Sequence, residues 1–329
     1  MLRIAAGFGI VASVLLAADF EVKDEAEFKK LFAPAAKVER LATGLQFVEG
    51  PVWMPTGFLV FSDIPADELK RWDAAGGVQT FRKPSNNANG NTLDKSGRLV
   101  TAEHGAHRIS RTTTDGAVET LIEKFEGKNL NSPNDVVIKS DGSIWFTDPD
   151  YGLSGRTKEQ AGNYVYRLDP SAKTLVPVVK DFDKPNGLCF SPDESKLYIA
   201  DSGQPKHIRS FDVSKDGAVS GGAVFAKIDK GGPDGIRCDA GGRVWSSSGD
   251  GAQIFAADGR LIARILLPEA AANLTFGGRD GKTLFLTARK SLYMVPTKVR
   301  GKAPLSQYLA NRHAKVQLDS LPPRHLQSP

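Results

Sequence analysis

The stretch SPNDVVIKSDGSIWFTD, residues Ser132–Asp148, contains the plan on which the whole chain is built. It consists of a small polar residue, a short apolar run, a turn at Asp141-Gly142, and a second apolar run that ends in a carboxylate. Five other stretches follow the same plan. In chain order they are FVEGPVWMPTGFLVFSD (47–63), NGNTLDKSGRLVTAE (89–103), KPNGLCFSPDESKLYIAD (184–201), GPDGIRCDAGGRVWSSS (232–248) and ANLTFGGRDGKTLFLTA (272–288).

The repeat predicts an all-β fold. Its period of roughly 40 to 50 residues, with strand, turn and strand in each unit, is typical of propeller blades and not of helical arrays. The second apolar run of each unit, such as Ile144–Phe146 or Leu197–Ile199, has the pattern of a buried strand. We therefore expect a six-bladed β-propeller with four-stranded antiparallel blades.

The repeat also sets the expected domain organisation of the 329 residues. The sixth unit offers only three strands before the tail, so we expect residues near 38 to 45 to supply its missing outer strand and close the ring. The propeller then spans residues 38–300. Residues 19–37, with the pattern EFKKLF, predict a short helix packed outside the repeats, and residues 301–329 predict an extended, dispensable tail.

The first 18 residues have one early positive charge at Arg3, an apolar segment too short to span a bilayer comfortably, and small residues at the end. This pattern predicts a cleaved secretory signal and an exported protein, periplasmic or secreted, with no membrane segment in the mature form. A buried first helix and an uncleaved anchor are the alternatives. The net charge of +5 comes without long basic runs or interleaved aromatic residues, so nucleic-acid binding is not expected.

Two cysteines, Cys189 and Cys238, are the chain's whole thiol content. Aligning the fourth and fifth units places them one residue out of phase, so we expect them to face opposite sides of the sheet and not to form a bridge. Two thiols also fall short of a four-ligand structural zinc site.

The first polar residue of each unit occupies an equivalent position, where the innermost strands of a propeller line the channel. These residues are Glu49, Asn89, Asn134, Asn186, Asp234 and Asn273. A ring of carboxylate and amide oxygens favours a hard divalent cation, with Ca²⁺ first, then Mg²⁺, and Mn²⁺ or Zn²⁺ as alternatives. The competing interpretation is that Asn-Gly and Asp-Gly pairs merely turn the chain into each strand.

A second layer is expected at the far end of the next strand of each unit. It comprises Asp63, Glu103, Asp148, Asp201, Ser248 and Ala288. Of these, Glu103 and Asp148 are predicted to bind substrate, together with Asn89, Asn91, His104, Asn134 and Tyr151. Asp63 and Asp201 fit turn caps equally well, and a lone histidine such as His104 is often structural. The sequence has no GxSxG, HExxH, Walker or dinucleotide motif in the right context.

Several short motifs together resemble one family of six-bladed propellers, the gluconolactonase and senescence-marker-protein (SMP-30) family. They are EGPVW at Glu49, SPNDVV at Asn134, PNGL at Asn186, PDGI at Asp234 and NLTFGG at Asn273, and the resemblance covers roughly residues 41–300. The NGNTLDKSGRLVTAEHG segment resembles the bacterial gluconolactonase-type branch in particular. The chain has Ser132 where animal members carry a substrate-binding arginine.

The resemblance implies a lactone hydrolase with one catalytic divalent metal. It implies Glu49, Asn186 and Asp234 as metal ligands, with Asn134 as a fourth ligand or a substrate contact. We expect the cation to polarise the lactone carbonyl and Asp234 to act as general base, with direct attack by Asp234 as an alternative.

The expected partner is a small lactone, and the expected state is a monomer or weak oligomer. Two other functions stay open. One is a related esterase or phosphotriesterase, and the other is a non-catalytic propeller with a structural metal.

Overall fold

The computed structural model describes residues 19–302, and within them the chain forms six antiparallel sheets arranged as a six-bladed β-propeller. The predicted fold class is confirmed. The innermost strands of successive blades contact one another in a closed ring, so they line a central channel. The predicted signal (1–18) and nearly all of the predicted tail lie outside the described residues and stay predictions.

The elements preceding the first repeat are β1 (Phe20–Val22), α1 (Glu25–Leu31) and β2 (Glu39–Ala42). Blades 1 and 2 consist of β3 (Val48–Met54), β4 (Phe58–Asp63), β5 (Glu68–Asp73), β6 (Gly77–Arg82), β7 (Ala88–Leu93), β8 (Leu99–Glu103), β9 (Arg108–Thr112) and β10 (Val118–Ile122). A two-stranded hairpin follows, with strands β11 (Lys124–Phe125) and β12 (Lys128–Asn129).

Blades 3 and 4 consist of β13 (Val136–Ile138), β14 (Ile144–Asp148), β15 (Tyr164–Asp169), β16 (Thr174–Val179), β17 (Pro185–Phe190), β18 (Lys196–Asp201), β19 (His207–Val213) and β20 (Val219–Lys227). A 3₁₀ helix, Tyr151–Leu153, lies between β14 and β15. Blades 5 and 6 consist of β21 (Ile236–Cys238), β22 (Val244–Ser248), β23 (Gly251–Phe255), β24 (Leu261–Leu266), β25 (Asn273–Gly277), β26 (Thr283–Ala288) and β27 (Ser291–Pro296).

The ring is closed by a strand from the beginning of the chain. Blade 6 has only three strands of its own, and β2 pairs antiparallel with β27, with Glu39 opposite Met294 and Arg40 opposite Tyr293. This pairing ties the beginning of the chain to the last blade and so holds the ring closed between blades 6 and 1. The expectation that residues near 38 to 45 supply the outer strand of blade 6 is confirmed.

The N-terminal extension packs on the outside of blade 5. Strand β1 pairs with β24 and extends that sheet to five strands. Helix α1 is capped by the Asp24 side chain, which accepts a hydrogen bond from the Glu27 backbone N–H. Phe32, just after the helix, is buried against Trp245 with 5.8 Å between ring centroids. Among residues 19–302, no helix has the length and apolarity needed to cross a membrane.

The apolar core is a set of layers between adjacent blades. Leu188 and Phe190 of β17 pack toward Trp145 of blade 3, whereas Cys189 of the same strand packs with Cys238 of blade 5. The two cysteines thus face opposite sides of their equivalent sheets, as expected, and both thiols are free, but this orientation points them toward each other. Adjacent blades pack opposite faces of equivalent sheets together, so positions one residue out of phase meet between them.

Glycines let the inner strands approach one another directly below the ring residues. The Gly187 backbone N–H donates to the Asp234 carbonyl oxygen at 3.0 Å, and a Cβ at Gly187 would lie 2.3 Å from that oxygen. A Cβ at Gly235 would lie 2.0 Å from the Asn273 side chain. Neither glycine has a positive φ. Their role is close packing of neighbouring blades, not the sharp turn that an Asn-Gly or Asp-Gly pair usually indicates.

Candidate active site

The six ring residues lie at or just before the first residues of the inner strands, at one mouth of the channel. Five of them are buried, and Asp234 is partly exposed. The buried members are Glu49, Asn89, Asn134, Asn186 and Asn273. The structure thus places the predicted ring residues at equivalent positions around one channel.

The centre of the site is a pair of neighbouring carboxyl groups, Glu49 and Asp234, close enough for the charge of Glu49 to act on Asp234. Glu49 Oε2 also accepts hydrogen bonds from the Gly50 backbone N–H at 2.7 Å and from Asn273 Nδ2 at 2.9 Å. Burial raises the pKa of Glu49 to about 7. Burial, followed by the charge of Glu49, raises the pKa of Asp234 well above its usual range. Two carboxyl groups so close together favour a shared proton or a bound cation.

Three ring residues have a buried oxygen acceptor without a hydrogen-bond partner. These atoms are Asn89 Oδ1, Asn186 Oδ1 and Asp234 Oδ1. Buried polar atoms are normally satisfied, so a group of orphaned acceptors marks a place where a cation or substrate donor belongs. Asn186 also contacts the Asp234 side chain.

The donor set fits a hard divalent cation through carboxylate and amide oxygens together. In residues 19–302 no group of three or more histidine, cysteine, aspartate or glutamate side chains has the arrangement of a metal site. A cation bound by Glu49 and Asp234 would therefore need the amide oxygen of Asn186. Oxygen-only ligands of this kind suit Ca²⁺ or Mg²⁺.

Tyr151 lies at the rim of the cluster, in the 3₁₀ helix between β14 and β15. Its hydroxyl is near enough to the side chains of Ser202 and Asn186 for both to influence its pKa. Burial of the hydroxyl raises the pKa of Tyr151 to about 12, so it is protonated at neutral pH. The Lys184 ammonium lies 5.7 Å from the centroid of the Tyr151 ring. The tyrosine thus places an O–H group near Asn186.

Ser132 holds the 3₁₀ helix that carries Tyr151 through two hydrogen bonds. Its hydroxyl donates to the Pro149 carbonyl oxygen at 2.5 Å and accepts the Gly152 backbone N–H at 2.9 Å. Because Ser132 is fully buried, its side chain holds the loop that carries Tyr151 and does not itself reach the channel mouth.

His104 and Asn89 form a buried pair on the blade 2 side of the mouth. Asn89 Nδ2 lies 3.2 Å from His104 Nε2, a hydrogen-bond distance. Burial lowers the pKa of His104 to about 4, which leaves the ring neutral. Gly152 packs against this ring, and a Cβ there would lie 2.6 Å from it. The histidine joins the 3₁₀ helix to Asn89.

The predicted second layer is largely engaged in contacts within the blades. Asp63, Asp148 and Asp201 each accept backbone N–H groups from the loop that precedes the inner strand of their own blade. Glu103 accepts from the side chains of Ser110, Arg108, Arg82 and Asn86. None of these bonds is with Glu49, Asn186 or Asp234. The predicted substrate contacts of Glu103 and Asp148 stay predictions, and the recorded bonds of both carboxylates hold the blades together.

The side-chain amide of Asn91 is also fully used in hydrogen bonds within the protein. Its Nδ2 donates to the Gly50 carbonyl oxygen at 2.9 Å, to Ser62 Oγ at 2.9 Å and to the Asn89 carbonyl oxygen at 3.0 Å, while its Oδ1 accepts from Thr101 Oγ1 at 2.9 Å. These bonds fix the backbone of the ring between blades 1 and 2. The structure shows Asn91 as a support of the ring, and its predicted contact with substrate stays a prediction.

Sequence reasoning missed a buried ion pair near the ring. Arg237 Nη1 lies 3.0 Å from Asp135 Oδ2, and the Asp135 carboxylate is completely buried. The charge of Asp135 contributes to the raised pKa of both Glu49 and Asp234, whereas Arg237 opposes the shift at Glu49. In the sequence, Asp135 is visible as an aspartate directly after Asn134, but Arg237, with which it pairs, belongs to a different blade. The ring residues therefore lie close to a buried ion pair in which Arg237 neutralises the charge of Asp135.

Comparisons with known proteins agree with this architecture. A family model described as "SMP-30/Gluconolactonase/LRE-like region" matches residues 47–290. A gluconolactonase of Zymomonas mobilis subsp. mobilis is 32% identical over 296 residues, covering 80% of this chain and 82% of that protein. The solved structure of a gluconolactonase from Xanthomonas campestris has a TM-score of 0.80 and 36% identity, covering 85% of this chain and 95% of that one.

A more distant solved structure is that of a calcium-binding protein, regucalcin, from Agrobacterium tumefaciens. It has a TM-score of 0.68 and 23% identity, and the match covers 81% of this chain and 95% of that one. At this identity the likeness concerns the fold alone.

Proposed function

The chain belongs to the SMP-30/gluconolactonase/LRE-like family of propellers and is a lactone hydrolase, and we propose that it opens a sugar lactone at the cluster of Glu49, Asn186 and Asp234 with the help of one divalent cation. The observation that carries this proposal is the pair of orphaned buried acceptors, Asn186 Oδ1 and Asp234 Oδ1, beside the Glu49 carboxyl group. Oxygen ligands without thiolate or imidazole favour Ca²⁺ first and Mg²⁺ second.

Glu49, Asn186 and Asp234 would hold the cation, with Asn134 as a further ligand or substrate contact. Bound there, the cation would supply Lewis-acid polarisation of the lactone carbonyl. Burial raises the pKa of both carboxyl groups, and the charge of Glu49 raises that of Asp234 further. Beside a cation Asp234 would be ionised, and its free oxygen would accept a proton from an attacking water.

The remaining groups at the mouth bind and orient substrate hydroxyls. Tyr151 offers a hydroxyl near Asn186, and its raised pKa keeps it a donor at neutral pH. Asn89 offers the orphaned Oδ1 as an acceptor while its Nδ2 is held by neutral His104. A mouth that offers fixed donors and acceptors suits a polyhydroxylated ring better than an apolar ester.

The proposal is tested by following acid release in a pH-stat during hydrolysis of glucono-lactone, other sugar lactones, aryl esters and phosphotriesters. The protein is used free of metal and loaded with Ca²⁺, Mg²⁺, Mn²⁺ or Zn²⁺. We expect metal-dependent turnover of sugar lactones, and a loss in kcat of about 10²- to 10⁴-fold in Asp234→Asn.

The matched control is Asp258→Asn, which changes an exposed turn carboxylate. It should leave kcat unchanged. Parent-like turnover by Asp234→Asn would remove Asp234 as the base, and faster turnover of aryl esters or phosphotriesters than of any sugar lactone would contradict the substrate class.

A further inference from the structure

Two inner strands that carry ring residues also carry the chain's two cysteines. Cys189 follows Asn186 on β17, and Cys238 follows Asp234 at the end of β21. Both thiols are free and buried. The two strands belong to neighbouring blades and run side by side along the channel, joined near the ring by the hydrogen bond from Gly187 to Asp234.

The two thiols face each other between blades 4 and 5. They belong to one buried cluster whose other members include Tyr198 of blade 4 and Phe255 of blade 5. Burial first, and then the neighbouring Cys238 thiol, raise the pKa of the Cys189 thiol. Opposed thiols on adjacent strands are the arrangement from which a disulfide can form without long-range movement of the chain.

A cavity gives small molecules access to the pair. It has a volume of about 270 Å³, and both cysteines line it together with Arg237, Phe190 and Phe276. The lining residues lie further along the inner strands than the ring residues, so this cavity opens toward the other end of the channel from the candidate active site. A reagent can therefore reach the thiols without passing the ring.

We propose that Cys189 and Cys238 form a reversible disulfide that ties blade 4 to blade 5, made by thiol–disulfide exchange with a small-molecule disulfide entering this cavity. One cysteine thiolate attacks the reagent, releasing one thiol and leaving a mixed disulfide on the protein. The second cysteine displaces the second thiol, which takes up the remaining proton. Two protein thiols are oxidised to one disulfide, and one small disulfide is reduced to two thiols.

The consequence is a covalent link between the strands that hold Asn186 and Asp234. Burial raises the pKa of the Cys189 thiol well above its usual range, so the thiolate is scarce and the exchange is slow at neutral pH. Once formed, the bond closes a loop between blades and should stabilise the fold, because it restricts the unfolded chain.

The test uses the full chain, first reduced and then incubated with oxidised glutathione. Because the sequence has two cysteines in all, titration of the denatured protein with a thiol reagent should find two thiols before oxidation and none after it. The intact mass of the oxidised protein should be lower by two hydrogen atoms. Non-reducing electrophoresis should show a monomer, and peptide mapping should find Cys189 joined to Cys238.

The Tm of the oxidised protein should rise by several degrees and return to its starting value with dithiothreitol. Cys189→Ser and Cys238→Ser are the matched controls, in which oxidation should give a mixed glutathione adduct or no change, without the rise in Tm. Two remaining thiols, a stable double adduct, or a dimer in the parent protein would overturn the proposal. These readouts require no enzymatic activity, so they stand or fall independently of the proposed function.

Discussion

The Asp135 carboxylate and the Arg237 guanidinium, 102 residues apart in the chain, form a buried ion pair at 3.0 Å close to the candidate active site. Asp135 also accepts the Val136 backbone N–H at 2.8 Å. Arg237 belongs to the inner strand of blade 5, whereas Asp135 directly precedes that of blade 3. The pair therefore spans the channel and joins blades that are not neighbours.

Arg237→Met should destabilise the fold by about 3–5 kcal/mol, because it leaves the Asp135 carboxylate buried without a partner. The free energy of unfolding in urea measures this loss. The double variant Asp135→Asn/Arg237→Met removes both charges and should recover most of the stability. If the single and double variants unfold at the same urea concentration, the loss comes from packing of the arginine stem and not from the unpaired charge.

Glu49→Gln should weaken Ca²⁺ binding by tenfold or more, since it removes one of two carboxylates from the proposed ligand set. Isothermal titration calorimetry of metal-free protein gives the affinity directly and needs no substrate. Glu123→Gln, which changes an exposed glutamate away from the ring, is the control and should bind as the parent does. Equal affinity in parent and Glu49→Gln would exclude Glu49 from the ligand set.

Much of this architecture could be predicted from the sequence because each repeat specifies the same local unit. The alignment of the units places Glu49 and Asp234 at equivalent positions. Counting the strands of each unit shows that blade 6 lacks one and must take it from elsewhere in the chain. Contacts between blades could not be predicted in this way. They join opposite faces of successive sheets, so the meeting of Cys189 with Cys238 depends on how blades pack and not on position within the repeat.

The supports of the site were missed for a related reason. Ser132 and Asn91 are polar residues beside the ring, and polarity alone does not separate a side chain that binds substrate from one that holds a loop. The distinction rests on whether the hydrogen-bonding capacity of each side chain is already used. Ser132 is occupied by Pro149 and Gly152, whereas Asn89 retains a free acceptor.

Gly187→Ala should lower stability by about 1–3 kcal/mol, because the new methyl group would lie 2.3 Å from the Asp234 carbonyl oxygen and force two inner strands apart. Thermal or urea unfolding of the metal-free protein measures the effect. Gly232→Ala is a matched control, since its Cβ would meet its nearest neighbours at 3.8 Å, an ordinary contact. A loss of stability in the control equal to that in Gly187→Ala would contradict the steric explanation.

His104 should make the stability of the fold depend on pH in mildly acidic solution. Its pKa is about 4 in the folded protein and near 6.5 when unfolded, so the unfolded chain binds more protons between these values. The stability contributed by neutral His104 is fully present above pH 6.5 and is lost as the pH falls toward 4. At pH 4.5 the loss amounts to about 2.5 kcal/mol.

The measurement is urea unfolding of the parent and of His104→Gln, each at pH 7 and at pH 4.5 with a chelator present. Comparing the two proteins separates the contribution of His104 from that of other titrating groups. The variant should lose less stability than the parent between the two pH values. Parallel losses in the two proteins would mean that His104 is not buried in its neutral form.

Tyr151→Phe should lower kcat/KM for the preferred lactone by up to about tenfold while leaving the unfolding free energy unchanged. The variant keeps the ring near Lys184 but removes the hydroxyl that lies near Asn186 and Ser202. Stability should be insensitive because Tyr151 is 46% exposed. Ser132→Ala provides the comparison, since it should displace the 3₁₀ helix that carries Tyr151 and so lower both stability and kcat/KM. If Tyr151→Phe has the kcat/KM of the parent and Ser132→Ala is less active, the loop must act on the site through a residue other than Tyr151.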